Sequence, residues 1–301
     1  MSNERPPTID PVATARWQRS APTLSPWLHE EVARRMEDRL QWIKLQPAAW
    51  AHWEPLRGGV LAHGALRRRY PKAQTFIVEP HTQRVVQAQR ALTPAWWQPA
   101  RWRGGATRFA SPADGSVQML WANMALHMAA DPQALIAQWH RALATDGFLM
   151  FSCLGPDTLG ELRALYQAEG WPAPGHEFTD MHDWGDMLVA AGFAEPVMDM
   201  ERIVLTYDSP ARLLDDLREL GRNLHPGRHP SLRGKGWRVR LEAALMRHLA
   251  RPAAGGRLAL TFEIVYGHAL KAAPRIRVAS ESAVPLQDMR AMLLGNRPSG
   301  G

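Results

Sequence analysis

Cysteine is almost missing from this sequence: Cys153 is the only one in 301 residues. An internal disulfide and every multi-cysteine zinc site are thereby excluded, and the usage fits a reducing compartment. No uninterrupted apolar run is long enough to span a bilayer. The opening MSNERPPTID lacks the apolar stretch of a secretion signal. These absences give the expectation of a cytoplasmic protein with no membrane partner. Also absent are the HExxH metal motif, the GxSxG nucleophile elbow and the phosphate-binding P-loop. His127, His182, His225 and His268 are too scattered to specify a metal site, so none is expected.

What is present is a basic chain with formal net charge +7. From Arg212 to Arg251 there are ten basic residues against four acidic ones, Asp215, Asp216, Glu219 and Glu242. A field of that sign draws acidic partners, and it is equally the mark of a solvated arginine-rich face. No nucleic-acid recognition motif accompanies the charge, so nucleic acid is not the expected partner.

Periodicity divides the chain. Residues 1–24, rich in Pro, Ser and Thr, read as a disordered tail. Glu30–Leu45 reads as a helix, with Val32, Met36, Leu40 and Ile43 on one stripe. Strand candidates at 48–53, 75–78, 117–121 and 148–153 then alternate with helix candidates at 60–70, 82–92 and 132–143. Strands alternating with helices in this way argue a parallel sheet covered on both faces. Further on come a helix at 183–191, a strand at 196–207, a helix at 210–220, a Gly/Pro/Arg/His-rich lid or loop, a helix at 237–249 and a strand at 257–266. The main domain is expected over 25–292, with a lid or inserted segment around 208–250 and a disordered tail at 293–301.

In an open parallel sheet, ligands collect at the carboxyl ends of the strands. Glu79 ends the second strand, where a carboxylate can accept both hydroxyls of a ribose; a plain surface acid is the other reading. Gly58 and Gly59, between the first strand and its helix, would let a nucleotide approach the backbone, although any tight turn could use them. Asn123, just past another strand, could orient ligand groups or close a turn. Cys153 reads as a packed side chain rather than a nucleophile. No catalytic residue is assigned.

The stretch from Val117 to Arg163, and above all GPDTLGEL at Gly155–Leu162, resembles the malonyl-acyl-carrier-protein O-methyltransferases of biotin synthesis. So do FTDMHDWGDMLVAAGFAEPVMDMERIVLTY at Phe178–Tyr207, LLDDLRELGRNLHPGR at Leu213–Arg228 and LTFEIVYGHALK at Leu260–Lys271. The likeness runs from about Trp27 to Lys271. It implies a class I methyltransferase (Rossmann-like) α/β fold. That fold is a seven-stranded, mostly parallel sheet with helices on both faces and an inserted lid. It also implies the cofactor S-adenosyl-L-methionine (SAM), and a malonyl acceptor on an acidic acyl-carrier protein. The family's first-strand acid falls on Glu54, and the three glycines of its cofactor loop fall on Leu56, Gly58 and Val60. The acids expected near the third strand and at the start of the fourth fall on Ala106 and Gln118. The resemblance therefore implies SAM-dependent methylation of a carboxylate, with Glu54, Gly58, Gly59, Glu79 and Asn123 as cofactor candidates. Its altered loop leaves a second reading, a catalytically degenerate relative that acts through its protein partner.

Overall fold

A computed structural model describes residues 9–93, 104–251 and 255–273. Seven strands form one sheet: β1 (Ala49–Trp53), β2 (Gln74–Val78), β3 (Thr107–Arg108), β4 (Val117–Ala122), β5 (Leu143–Leu154), β6 (Ala194–Tyr207) and β7 (Leu258–Leu270). Their spatial order is β3-β2-β1-β4-β5-β7-β6. The first five run parallel, and β7 enters antiparallel between β5 and β6. Because strand side chains alternate, Trp50, Met119, Trp121, Phe148 and Met150 fill one core. Ala51, Leu120, Leu149 and Phe151 join Ile136, Trp139 and Trp184 in another. Both faces are covered, as the unbroken apolar strands require.

Gly267 on β7 faces Phe151 on β5, its cross-strand partner. A Cβ at Gly267 would lie 2.1 Å from Phe151 Cε1, so the ring occupies the space that any side chain would need.

The helices are α1 (Pro11–Ser20), α2 (Trp27–Arg39), α3 (Val60–Arg69), α4 (Thr82–Leu92), α5 (Pro132–Ala142), α6 (Gly160–Ala168), α7 (Met181–Ala190), α8 (Pro210–Leu220) and α9 (Lys235–Leu249). Several starts carry a side-chain cap followed by proline: Asp131 accepts from Ala134 N before Pro132, and Ser209 from Arg212 N before Pro210. Gly192 closes α7 at φ +98°, a left-handed conformation. The second helix ends at Arg39, earlier than its apolar stripe suggests, and Leu40–Trp42 tightens into a 3₁₀ turn.

The expectation of a disordered tail over 1–24 is corrected from Ile9 onward. Asp10 caps α1, accepting from Val12 N at 2.8 Å and Ala13 N at 3.1 Å. Its other oxygen meets Arg228 at 2.7 Å, and its backbone N donates to Leu224 O at 2.9 Å. Ile9, Trp17, Ala21 and Leu224 share a small core. These contacts lie more than two hundred residues away in sequence, which local composition does not reveal. The helices α8 and α9 form the insertion between β6 and β7; the segment 293–301 lies outside the described residues. No helix among the described residues is long and apolar enough to cross a membrane.

Candidate active site

The carboxyl ends of β1, β2 and β4 converge. Glu54 follows β1 in the left-handed region (φ 50°, ψ 51°), and Pro55–Gly58 then makes one helical turn. Burial raises the Glu54 carboxyl. Gly58 packs on the backbone of Asn123: a Cβ there would come 2.8 Å from Asn123 O. Gly59 takes φ +133°, a conformation side chains resist. Both glycines are thus required by the turn itself.

Asn123 is buried, and its amide is spent inside the chain. Nδ2 donates to His29 O at 2.8 Å and to Gly58 O, while Oδ1 accepts from Ser152 Oγ at 2.6 Å. The residue ties β4 and β5 to the turn and to α2.

Glu79 sits at the end of β2 as expected, and its side chain is fully inaccessible. Leu56 N donates to Oε1 at 3.0 Å, and Arg84 Nε to Oε2 at 3.3 Å. Burial lifts its carboxyl to about 7, against the pull of the Leu56 amide and Arg84. Arg84 Nη1 donates to Ala21 O and Gln18 O, at 3.2 and 3.4 Å, whereas Nη2 is buried without a hydrogen-bond partner among the described residues. The start of α3 is also engaged: Val60 N and Leu61 N donate to Glu30 Oε1 at 2.8 and 3.2 Å. This is a carboxylate at a helix N-terminus, where the dipole and the free amides favour it.

Arg57 enters the centre of this region. Its guanidinium donates to Leu24 O (3.1 Å), Glu219 O (2.5 Å) and Leu220 O (3.2 Å). Burial lowers its pKa to about 10, so it stays charged at neutral pH. The indole of Trp17 lies beside both Arg57 and Arg222, with guanidinium carbons 5.5 and 4.9 Å from the ring centroid.

Two cavities adjoin. One of about 230 Å³ lies between the strand ends and α1, bordered by Trp17, Glu54, Arg57 and Arg84. The other, about 320 Å³, lies under the lid and is mostly apolar, with Leu28, Leu162, Phe178, Leu217 and Phe262 in its wall. His29, Met124, Met128 and Leu220 line both. Of the basic groups around the lid cavity, His127 is held neutral by burial, and Arg163 donates to the carbonyls of Thr158 and Pro156.

The five candidates Glu54, Gly58, Gly59, Glu79 and Asn123 therefore meet at one place. Glu30, Arg57 and Arg84 were not anticipated: an acid or arginine on a helix carries the same signal as a solvated surface residue. Gln118 accepts from Ala49 N at 2.8 Å and Ala106 O from Thr75 N, so both positions serve the sheet. Cys153 is buried, and burial raises its thiol. Among the described residues no cluster of three or more His, Cys, Asp or Glu could hold a metal ion.

The sheet order, with its antiparallel seventh strand, and a site at the ends of β1, β2 and β4 define a class I methyltransferase fold. A methyltransferase domain model matches residues 57–151. Among solved structures, a putative methyltransferase from Bacillus halodurans superposes with TM-score 0.51 at 11% identity, over 81% of this chain and 100% of that one. The YcgJ protein of Bacillus subtilis gives 0.52 at 13% identity, over 80% and 99%. Sequence relatives are more specific. The malonyl-[acyl-carrier protein] O-methyltransferase of Gallionella capsiferriformans is 39% identical over 259 residues, 83% of this chain and 86% of that protein. That of Laribacter hongkongensis is 39% identical over 258 residues, 83% and 84%. The chain belongs to the malonyl-[acyl-carrier protein] O-methyltransferase family. Fold and relatives together support SAM-dependent methyltransferase activity in general.

Proposed function

We propose that this chain methylates a carboxylate, with malonyl-acyl-carrier protein as the acceptor. The observation that carries this reading is the 39% identity to such an enzyme over 259 residues, 83% of this chain. The chemistry asks little of the protein beyond placement. A carboxylate is already ionised near neutral pH, so no general base is needed. SAM would supply the electrophilic methyl group. The chain's part is to hold the acceptor oxygen in line and keep water out, which the lid helices α8 and α9 are positioned to do.

The cofactor does not fit the side-chain arrangement described above. Both Glu79 oxygens are engaged by Leu56 N and Arg84, so no carboxylate face is open to a ribose. Glu30 fills the start of α3, and Arg57 stands in the adjoining cavity. This closure favours a second reading, a member of the family that engages its carrier protein without transferring methyl. Titrating SAM into the folded protein by calorimetry, then assaying methyl transfer to malonyl-acyl-carrier protein, separates the two. Saturable binding with turnover supports the first reading. A folded protein that ignores millimolar SAM yet binds the carrier supports the second.

An acidic carrier protein would meet the lid. Six of the ten basic residues between 212 and 251 are already paired: Arg212–Asp216, Arg218–Asp215, Arg228–Asp10, Arg238–Glu242, Arg247–Glu169 and Arg251–Glu161. Among the described residues, Arg222, Arg233, Lys235 and Arg240 have no carboxylate partner; Arg222 lies over the ring of Trp17, inside the closure, and Arg233 and Arg240 lie over that of Trp237. Reversing Arg233, Lys235 and Arg240 together to Glu is expected to weaken carrier binding about tenfold or more at low salt, with a smaller effect at high salt. Equal affinity of the triple variant, measured by fluorescence anisotropy, would remove the lid from the docking surface.

A further inference from the structure

The closure at the strand ends joins separate segments of the chain: the amino-terminal helix α1, the turn after β1 and the lid. Arg57 stands on the turn after β1. Its three acceptors are carbonyls of Leu24, before α2, and of Glu219 and Leu220, at the end of lid helix α8. The lid is thereby fastened to the turn that family resemblance assigns to the cofactor. Trp17 of α1 lies beside the same guanidinium and beside Arg222 of the lid, adding the amino-terminal segment. Arg84 repeats the pattern on the neighbouring strand end, joining Glu79 to the carbonyls of Gln18 and Ala21.

We infer that Arg57 is a lock, so that SAM and the lid-fastened conformation compete for one space. The inference rests on the reading of this region as a cofactor site and deepens it: the cofactor enters only when the guanidinium leaves the carbonyls of Glu219 and Leu220. The same departure releases the carboxyl end of α8, whose Leu213 stays in the main core, so cofactor entry and loosening of the lid at that end are one event. The two cavities share His29, Met124, Met128 and Leu220, so the lock also stands at the boundary between cofactor and acceptor sides.

When a binding-competent state is a minor one, apparent affinity falls by the fraction that is competent. Removing the lock should restore that factor. The test is calorimetric titration of SAM and S-adenosylhomocysteine into the full-length wild type, Arg57→Ala and Trp17→Ala. Limited proteolysis of the lid segment 221–234 in each free protein accompanies it. The expected result is binding at least about tenfold tighter in Arg57→Ala than in the wild type, a smaller gain in Trp17→Ala, and faster lid cleavage in both. Trp17→Ala keeps the guanidinium and guards against misfolding of the Arg57 variant; circular dichroism checks both. Equal affinity across the three proteins, or no binding by any of them, overturns the lock. Failure of the methylation reading looks different: SAM binds, more tightly without Arg57, but no methyl reaches malonyl-acyl-carrier protein.

Discussion

The protein is expected to unfold cooperatively near pH 5, as its buried histidines take up protons. Among the described residues five histidines are buried: His29, His52, His63 and His127, held neutral well below the ordinary range, and His176, also lowered by burial. Burial holds His29 and His63 at about 3, and it puts His52 and His127 well below the ordinary value. His52 and His63 share a contact, Nδ1 to Nδ1 at 3.2 Å, and neither Nε2 has a hydrogen-bond partner among the described residues. Protonating either would place a charge in the apolar layer beside Trp50.

The unfolded chain takes up these protons at about pH 6.5, the folded chain far lower. The stability they protect is therefore complete above pH 6.5 and is lost as pH falls below it. Each histidine contributes about 1.4 kcal/mol per pH unit, so four remove about 5 kcal/mol per unit. Against a total stability of about 5–15 kcal/mol, that steepness ends the folded state near pH 5. Urea denaturation followed by circular dichroism at pH 8, 7, 6 and 5.5 measures the slope. A stability flat between pH 7 and 5 would refute it, and the double variant His52→Leu, His63→Leu should roughly halve it.

A second large effect is expected in the sheet. Gly267→Ala should destabilise the protein by about 3 kcal/mol, because the added carbon falls 2.1 Å from a ring atom of Phe151. Both residues lie in the layer where β7 runs antiparallel beside β5, and Phe151 is completely buried. No rotation of the alanine methyl avoids the clash, so the ring must leave its place or the strands must part. Phe151→Leu alone should also cost stability. The pair Phe151→Leu, Gly267→Ala should cost less than the sum of the two, by about 1 kcal/mol or more. Strict additivity in thermal or urea denaturation would mean that the ring and the glycine do not share the space.

Much of the architecture is legible in the sequence, and the reasons are physical. Helices α4 and α8 carry strong one-sided apolar patterns, and their limits at Thr82–Leu92 and Pro210–Leu220 coincide with the sequence reading. The strands read as short apolar runs because both faces of the sheet are covered. Helix α1 was hidden: its Asp10-Pro11 start is an ordinary cap signal, but what holds it is Leu224 and Arg228, far along the chain. The site shows the same division. Glu79 and the adjacent glycines can be placed from strand ends and turns alone. Arg57 and Arg84 cannot, since only the assembled fold turns an arginine in a helical turn inward onto carbonyls contributed by distant segments.

The route of the chain between β6 and β7 has a consequence for how this family can vary. These two strands form the longest ladder in the sheet, from Ala194 against Leu270 to Tyr207 against Leu258. The whole lid is an excursion between two ends that this ladder holds side by side. The entropy of closing such an excursion grows only with the logarithm of its length, about 0.6 kcal/mol for each doubling. Lengthening, shortening or resurfacing the lid therefore leaves the hydrogen-bonded frame almost unburdened. The lid side of the molecule can diverge at little thermodynamic cost, whereas the strand-end side, built into the frame through Asn123 and Glu79, has no comparable freedom.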